Sequence, residues 1–299
     1  MLADPGLSAS FELPPPPGYD APAIWTGRGF SVNGRLLPLL SYEIGESGWK
    51  AGLTTLHEAV DDEDHYMNLA SREHALSRLR RYLRAPRPRI IDVGCSTGYM
   101  LKALRARFPH AIVAGADITR EPLEKLARSM PEVALFHLDI LRSPLPENTF
   151  DAAILLNVLE HIADDQAVLR HVYRFLKPGG VAVIEVPAGP GLYDIYDRQL
   201  LHYRRYRLAD LVERLRAADF HILDRSHLGF LLYPAFWMVK KKNRRLLQSD
   251  PSSQLPKVEK QMRMAGHGSL MHAVLLLEQR LRDWIYYPAG IRCLVTCRK

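Results

Sequence analysis

The segment Ile90-Ile91-Asp92-Val93-Gly94-Cys95-Ser96-Thr97-Gly98-Tyr99 joins an apolar run to a turn of small residues and then to a helical pattern. In a doubly wound sheet this is where the polar part of a ligand meets the turn and the N-terminus of the next helix. Gly94 and Gly98 permit close backbone approach. A dinucleotide site needs G-x-G-x-x-G, yet Ser96 and Tyr99 stand where the second and third glycines belong. The same residues satisfy G-x-S-x-G, the elbow that presents a nucleophilic serine, so Ser96 is a formal nucleophile that would still need an Asp and a His on matching loops. The downstream acids discriminate. Asp117 follows the loop by about 20 residues, where a carboxylate can accept hydrogen bonds from two ribose hydroxyls. Asp139-Ile140 closes the next apolar run, and Leu156 leads into Asn157. A hydrolase has no need of an acid at the end of successive strands; a bound adenosine does.

The elements that must position these residues alternate. Short apolar runs at 89–93, 111–116, 133–138, 152–156 and 181–186 enclose amphipathic stretches at 101–108, 121–129 and 165–176. Strands alternating with helices of this length imply a parallel sheet covered on both faces. A helix over 62–84 precedes them, with acids at its start and Arg80, Arg81 and Arg84 near its end. A helix over 208–218 leads to a sixth strand at 220–225, and a last strand at 291–298 returns beside it. The expected organisation is an N-terminal arm and cap (1–61), an α/β core (62–226), a helical insertion or lid (227–284) and the last core strand (285–299). Pro14 to Pro17 mark the first 25 or so residues as an irregular arm. Residues 30–56, broken by Gly34, Gly45, Gly48 and Gly52, suggest a hairpin or covering loop.

Taken together, these motifs resemble the class I S-adenosylmethionine-dependent methyltransferases over residues 62–226, resuming near Leu275. The resemblance implies a Rossmann-like, doubly wound, seven-stranded, mostly parallel sheet with an antiparallel last strand. It places Asp92, Gly94, Cys95, Ser96 and Gly98 under the methionine part of S-adenosylmethionine, Asp117 with Ile118 at the ribose, and Asp139 with Ile140 at the adenine; Asn157 is expected to join the cofactor set. Pro144 to Asp151, Leu159-Glu160-His161 and Leu176-Lys177-Pro178-Gly179-Gly180 match later family motifs. Ser96 departs from the glycine that many members carry, and a serine there is expected at negative φ. A narrower similarity is to bacterial small-molecule enzymes of the ubiquinone-type superfamily. Tyr66 and Arg72 fit its segment before the first motif; Asp197, His202, Tyr203, Arg204, Arg205 and Tyr206 fit its segment after the fifth strand.

The sulfonium methyl is already activated, so the enzyme implied must align an acceptor in line and exclude water. His161 is the candidate base or acceptor-orienting group, against a structural role at a helix start. His202 and Tyr206, four apart, would share a helical face on the acceptor pocket or else hold the loop after the fifth strand. Arg72 could pair with the cofactor carboxylate or form a surface salt bridge. Tyr193 and Arg205 are further acceptor candidates.

Composition sets the remaining bounds. The 299 residues are 47% hydrophobic and 24% charged, with a net charge of +7, which suits a globular protein. No apolar run approaches the roughly 20 residues that span a bilayer, and a cytoplasmic location is expected. Cys95, Cys293 and Cys297 have no metal spacing and read as buried thiols; no metal is expected. The run Lys240, Lys241, Lys242, Arg244, Arg245 reads first as a solvated face, and alternatively as favouring an anionic or carrier-bound substrate or a membrane surface. The apolar stretch 229–239 reads as a lid or dimer helix, with peripheral membrane contact as its rival. A nucleic-acid substrate is disfavoured because Asn157-Val158-Leu159-Glu160 lacks the proline-aromatic pair of amino-methylating enzymes. The residues leave open a protein methyltransferase and a noncatalytic protein that only binds the cofactor. The expected acceptor is a small molecule, an oxygen of a specialised or lipid-like metabolite.

Overall fold

The computed structural model describes residues 11–42, 65–248, 254, 256–258, 269–281 and 284–299. At its centre lies β6 (Arg89–Val93), flanked by β7 (Ile112–Asp117) and β9 (Phe150–Leu156). Beyond β7 comes β8 (Ala134–His137); beyond β9 come β10 (Leu176–Pro187), β12 (Arg292–Arg298) and β11 (His221–Leu228). Pairing is parallel from β8 to β10, while β12 runs antiparallel to both neighbours. The seven expected strands are all present. The buried runs of β6, β7 and β9 follow from having helices on both faces, where alternation would leave polar side chains without water.

One face is covered by α1 (Tyr66–Tyr82), α2 (Tyr99–Arg107) and α3 (Arg120–Ser129), which contribute Leu79, Leu101, Leu104 and Leu123 to the core against Ile90, Val113 and Leu135. The other is covered by α4 (Asp165–Phe175) and α6 (Leu208–Arg216) with the N-terminal region, around Phe136, Phe150 and Ile184. The short α5 (Ile195–Gln199) lies between β10 and α6. His65 starts α1, its Nδ1 accepting the Met67 amide at 3.3 Å; the expected start at residue 62 lies outside the described residues.

The N-terminal segment departs from the irregular arm that its prolines suggest. β1 (Glu12–Leu13), β2 (Ala23–Trp25), β3 (Phe30–Val32) and β4 (Arg35–Leu37) form a four-stranded antiparallel sheet. Phe11, Leu13, Trp25 and Phe30 are buried in the main core, with Trp25 and Phe30 centroids 4.9 Å apart and Phe30 5.5 Å from Phe136. The prolines shape the connection from β1 to β2, while the apolar residues on either side supply the packing. Asn33 and Gly34, both at positive φ, close the expected hairpin with a two-residue turn whose twist suits the strands. β5 (Leu40–Ser41) then adds an eighth strand beside β8. Residues 43–56 of the expected cover lie outside the described residues.

In the insertion, α7 (Tyr233–Arg244) leaves Trp237, Met238 and Val239 exposed, and α8 (Ser269–Leu281) buries Leu275 against Met67, Ala70, Leu228 and Leu294. Glu278 accepts the Gly229 and Leu231 amides at 2.7 and 3.1 Å, and Gln279 donates to the Ala70 carbonyl, fastening α8 to the strand end and to α1. Lys240 departs from the solvated face expected of its run: it is buried against Asp194 and Asp197. Cys293 and Cys297 share one face of β12 in the core, and Cys95 is likewise buried. No helix among the described residues is long and apolar enough to cross a membrane.

Candidate active site

The loop from β6 to α2 is held from below by the end of β7. The Gly94 amide donates to the Ala116 carbonyl at 2.7 Å, and the Ser96 amide donates to Asp117 Oδ2 at 2.8 Å. Asp117 Oδ1 accepts the Thr119 amide, also at 2.8 Å. Loss of solvent pushes the Asp117 carboxyl up, and the amides of Ser96, Thr119 and Ile118 pull it back. The same lock corrects the expectation of negative φ at Ser96: its φ is +44°, between Gly94 at +76° and Gly98 at +84°. In this left-handed backbone the Ser96 N–H meets Asp117, and the charge-assisted hydrogen bond offsets the strain. The glycines also answer to protein packing. A Cβ on Gly94 would lie 2.7 Å from Val158 Cγ2, and one on Gly98 2.4 Å from Leu126 Cδ2.

Above the loop opens a cleft lined by Asn68, Ser71, Arg72, Asp92, Gly94, Cys95, Ser96, Tyr99, Met100, Leu156, Asn157 and Arg292. Six residues expected from the sequence meet here: Arg72, Asp92, Gly94, Cys95, Ser96 and Asn157. Arg72 lies over the Tyr99 ring, 5.7 Å from its centroid. Asn157, at φ +55°, donates its amide to the Glu185 carbonyl and its side chain towards Glu185 Oε1 at 3.4 Å. Asp117 and Ile118 sit at the neighbouring strand end, and Asp139 follows two residues beyond His137, the register partner of Asp117. Asp139 accepts the Leu141 amide at 2.9 Å, with Ile140 buried beside it. Tyr66 does not line the cleft; it stacks on His65 at 4.5 Å and packs against the cluster of Met67 and Leu275.

Arg292, Ser71 and Asn68 line the cleft, with Glu185 buried against Arg292 and Ser71, and spacing alone missed all four. Arg292 pairs with Glu185 and donates to Ser71 Oγ at 2.8 Å, while Ser71 Oγ also donates to Glu185 Oε1 at 2.8 Å. The signal in the sequence was an acid inside the apolar run 181–186 and an arginine opening the last strand. Arg72, the side-chain amide of Asn68 and the donors Arg292 keeps beyond its pairing with Glu185 suit an anionic ligand group, and the strand-end acids suit a ribose. This donor set fits S-adenosylmethionine.

The turn Leu159–His161 follows β9. His161 and His202 meet edge to face with centroids 4.6 Å apart. Asp197 Oδ1 holds His202 Nδ1 at 2.9 Å, and both Asp197 oxygens accept from Arg205 Nε at 2.8 Å. Burial opposes ionisation of Asp197, but His202, Arg205 and Lys240 outweigh it and hold the carboxyl well below the usual range. Burial pushes the His202 imidazole down against the pull of Asp197, and pushes the Glu160 carboxyl up to about 8.

The shared helical face expected for His202 and Tyr206 does not form. Residues 202–207 are non-helical because Tyr206 bridges to Ala188 and donates its amide to the Pro187 carbonyl. Tyr206 is buried, its hydroxyl on Asp165 Oδ2 at 2.7 Å, and Arg205 is buried between Asp197 and the Ala188 carbonyl. Both are occupied in holding the chain rather than open to an acceptor. Tyr193 is half-buried and donates to the His202 carbonyl at 2.9 Å.

A protein-family profile described as "Methyltransferase domain" matches residues 64–225, more than half of the chain. The chain belongs to this family. Among curated relatives of this methyltransferase-domain protein, the demethylmenaquinone methyltransferase of Thermus thermophilus is 34% identical over 40% of this chain and 59% of its own. The sterol 24-C-methyltransferase of Aspergillus fumigatus is 28% identical over 56% of this chain and 45% of its own. The chain thus spans about half the length of these relatives. A solved structure from Galdieria sulphuraria, provisionally named a sarcosine dimethylglycine methyltransferase, shares the fold with a TM-score of 0.53 at 16% identity, covering 86% of this chain and 93% of its own.

Proposed function

We propose that this methyltransferase-family protein transfers the methyl group of S-adenosylmethionine to an oxygen of a small-molecule acceptor. The observation that carries the reading is the lock between Asp117 and the Ser96 amide at 2.8 Å, which shapes the loop below the cleft and leaves the carboxylate's remaining lone pairs for ribose hydroxyls. When bound, the cofactor supplies a methyl on a positively charged sulfur. Arg72, with Arg292, would hold the carboxylate end, Asn157 and the loop amides the middle, and Asp139 with Ile140 the adenine end. His161, in the turn after β9, and His202, packed against it, orient the acceptor oxygen. The chemistry the bound cofactor would supply is in-line displacement, the acceptor oxygen replacing sulfur on the methyl carbon, with the acceptor's proton passing to solvent or to a neighbouring base.

Curated relatives named for quinone, sterol and trans-aconitate methylation support a small-molecule acceptor. The choice of oxygen rests on the polar groups beside Asn157. Calorimetric titration with S-adenosylmethionine and its demethylated product, on wild type and Asp117→Ala, tests the cofactor site. Loss of two charge-assisted ribose bonds, at about 1 to 2 kcal/mol each net, weakens binding roughly 30- to 1,000-fold. No heat from folded wild-type protein, or unchanged affinity in the variant, overturns the assignment.

A further inference from the structure

Glu160 lies directly after the strand that ends the cofactor cleft, with no exposed surface and with neither carboxylate oxygen meeting a hydrogen-bond partner. Its nearby cations are already engaged: Arg292 with Glu185 and Ser71, Arg205 with Asp197 and the Ala188 carbonyl. A buried carboxyl group without hydrogen-bond partners is a costly arrangement that a bound cation would relieve. Two imidazoles stand beside it. One ligand atom each from Glu160, His161 and His202 fall within 4.8 Å of one another.

We propose that Glu160, His161 and His202 bind a first-row divalent cation. Two ring nitrogens and one carboxylate are the donor set preferred by zinc, iron(II), cobalt or manganese over calcium. The ligand atoms of a tetrahedral site with bonds of about 2.0–2.1 Å stand roughly 3.3 Å apart, so binding requires only a modest inward movement of side chains. The second shell is already built: Asp197 fixes His202 through Nδ1 at 2.9 Å, which puts the lone pair on Nε2, in the manner of a carboxylate–histidine–metal arrangement. The backbone is held as well, since the Tyr203 amide donates to the Glu160 carbonyl at 2.7 Å and brings the two ligand segments together. A three-ligand site leaves coordination positions for the oxygen of an acceptor, polarising a hydroxyl so that its proton is lost to water before methylation. This use rests on the methyl-transfer reading above; cation binding itself does not.

The test uses the full chain, stripped with chelator and dialysed. Cobalt(II) is titrated while its visible absorption is followed, and zinc is titrated calorimetrically. Binding of the demethylated cofactor is measured on the same preparations. The expected result is one equivalent of cation, bound at least about tenfold more weakly by Glu160→Gln and by His202→Ala, with cofactor affinity in Glu160→Gln within about twofold of wild type. Glu160→Gln preserves shape, and its retained cofactor binding shows that the variant is folded. Absence of cobalt absorption and of zinc heat overturns the proposal, as does binding that neither substitution weakens. Cation binding without cofactor binding overturns instead the methyltransferase reading and leaves this site standing.

Discussion

Gly98→Ala is expected to destabilise the protein by about 2–5 kcal/mol, from two causes that can be separated. Gly98 has φ +84°, where an L-residue costs roughly 1–2 kcal/mol. The added methyl would also stand 2.4 Å from Leu126 Cδ2 and 3.1 Å from Cδ1. Leu126 is only 4% exposed, inside the cluster of Leu101, Leu104 and Leu123, so it cannot swing into solvent. Overpacking of this kind adds about 1–3 kcal/mol. The two causes are resolved by a double-mutant cycle with Leu126→Ala, itself expected to cost about 2–5 kcal/mol through the cavity it leaves. In that background the steric cost of Gly98→Ala disappears and only the backbone cost remains. The coupling is therefore about 1–3 kcal/mol in the direction of rescue, read by urea unfolding of the four proteins at one pH. Equal costs of Gly98→Ala in both backgrounds would refute the packing argument, and a total below about 1 kcal/mol would refute the left-handed backbone as well.

Two substitutions test the segment after β10. Asp197→Ala leaves Arg205 and Lys240 buried with fewer partners and is expected to cost about 3–5 kcal/mol in denaturant unfolding; a loss under about 1 kcal/mol contradicts a buried ion cluster. Tyr206→Phe removes one hydrogen bond from Asp165, which keeps Arg204 and Arg214, so the expected loss is about 0.5–1.5 kcal/mol with cofactor affinity unchanged. Loss of methyl transfer by folded Tyr206→Phe, at unchanged stability, would return Tyr206 to the acceptor pocket.

The loop between β6 and α2 and the polar strand ends were legible because their signals are local: an apolar run, small residues and then a helical pattern around Gly94 and Gly98, and an acid or amide after the runs that end at Ala116, Leu138 and Leu156. The sign of φ at Ser96 was not, because the hydrogen bond that offsets its strain comes from a carboxylate 21 positions away in the chain. Arg292 and Glu185 are 107 positions apart, and only the register of β12 on β10 brings them together. The spacing of His202 and Tyr206 suits a helix, but pairing of Tyr206 with the end of β10 overrides that local preference. Of the N-terminal sheet only the β3–β4 hairpin was legible; β1 and β2 escaped notice because strands of two or three residues are too short for periodicity to show, beside a proline run that reads as a breaker.

These long-range pairs converge on Asp197. One of its oxygens orients His202; both accept from Arg205, whose Nη1 holds the Ala188 carbonyl just beyond β10; and the second also accepts from Lys240 of α7 at 3.2 Å. A single buried carboxylate thus ties the insertion to a strand end and to the His202 imidazole. Displacement of α7 would leave its lysine or the Asp194–Asp197 pair short of a partner in low dielectric, so α7 and His202 share one preferred arrangement. The insertion accordingly does more than cover the core: through Lys240 it helps hold the geometry at the edge of the candidate active site.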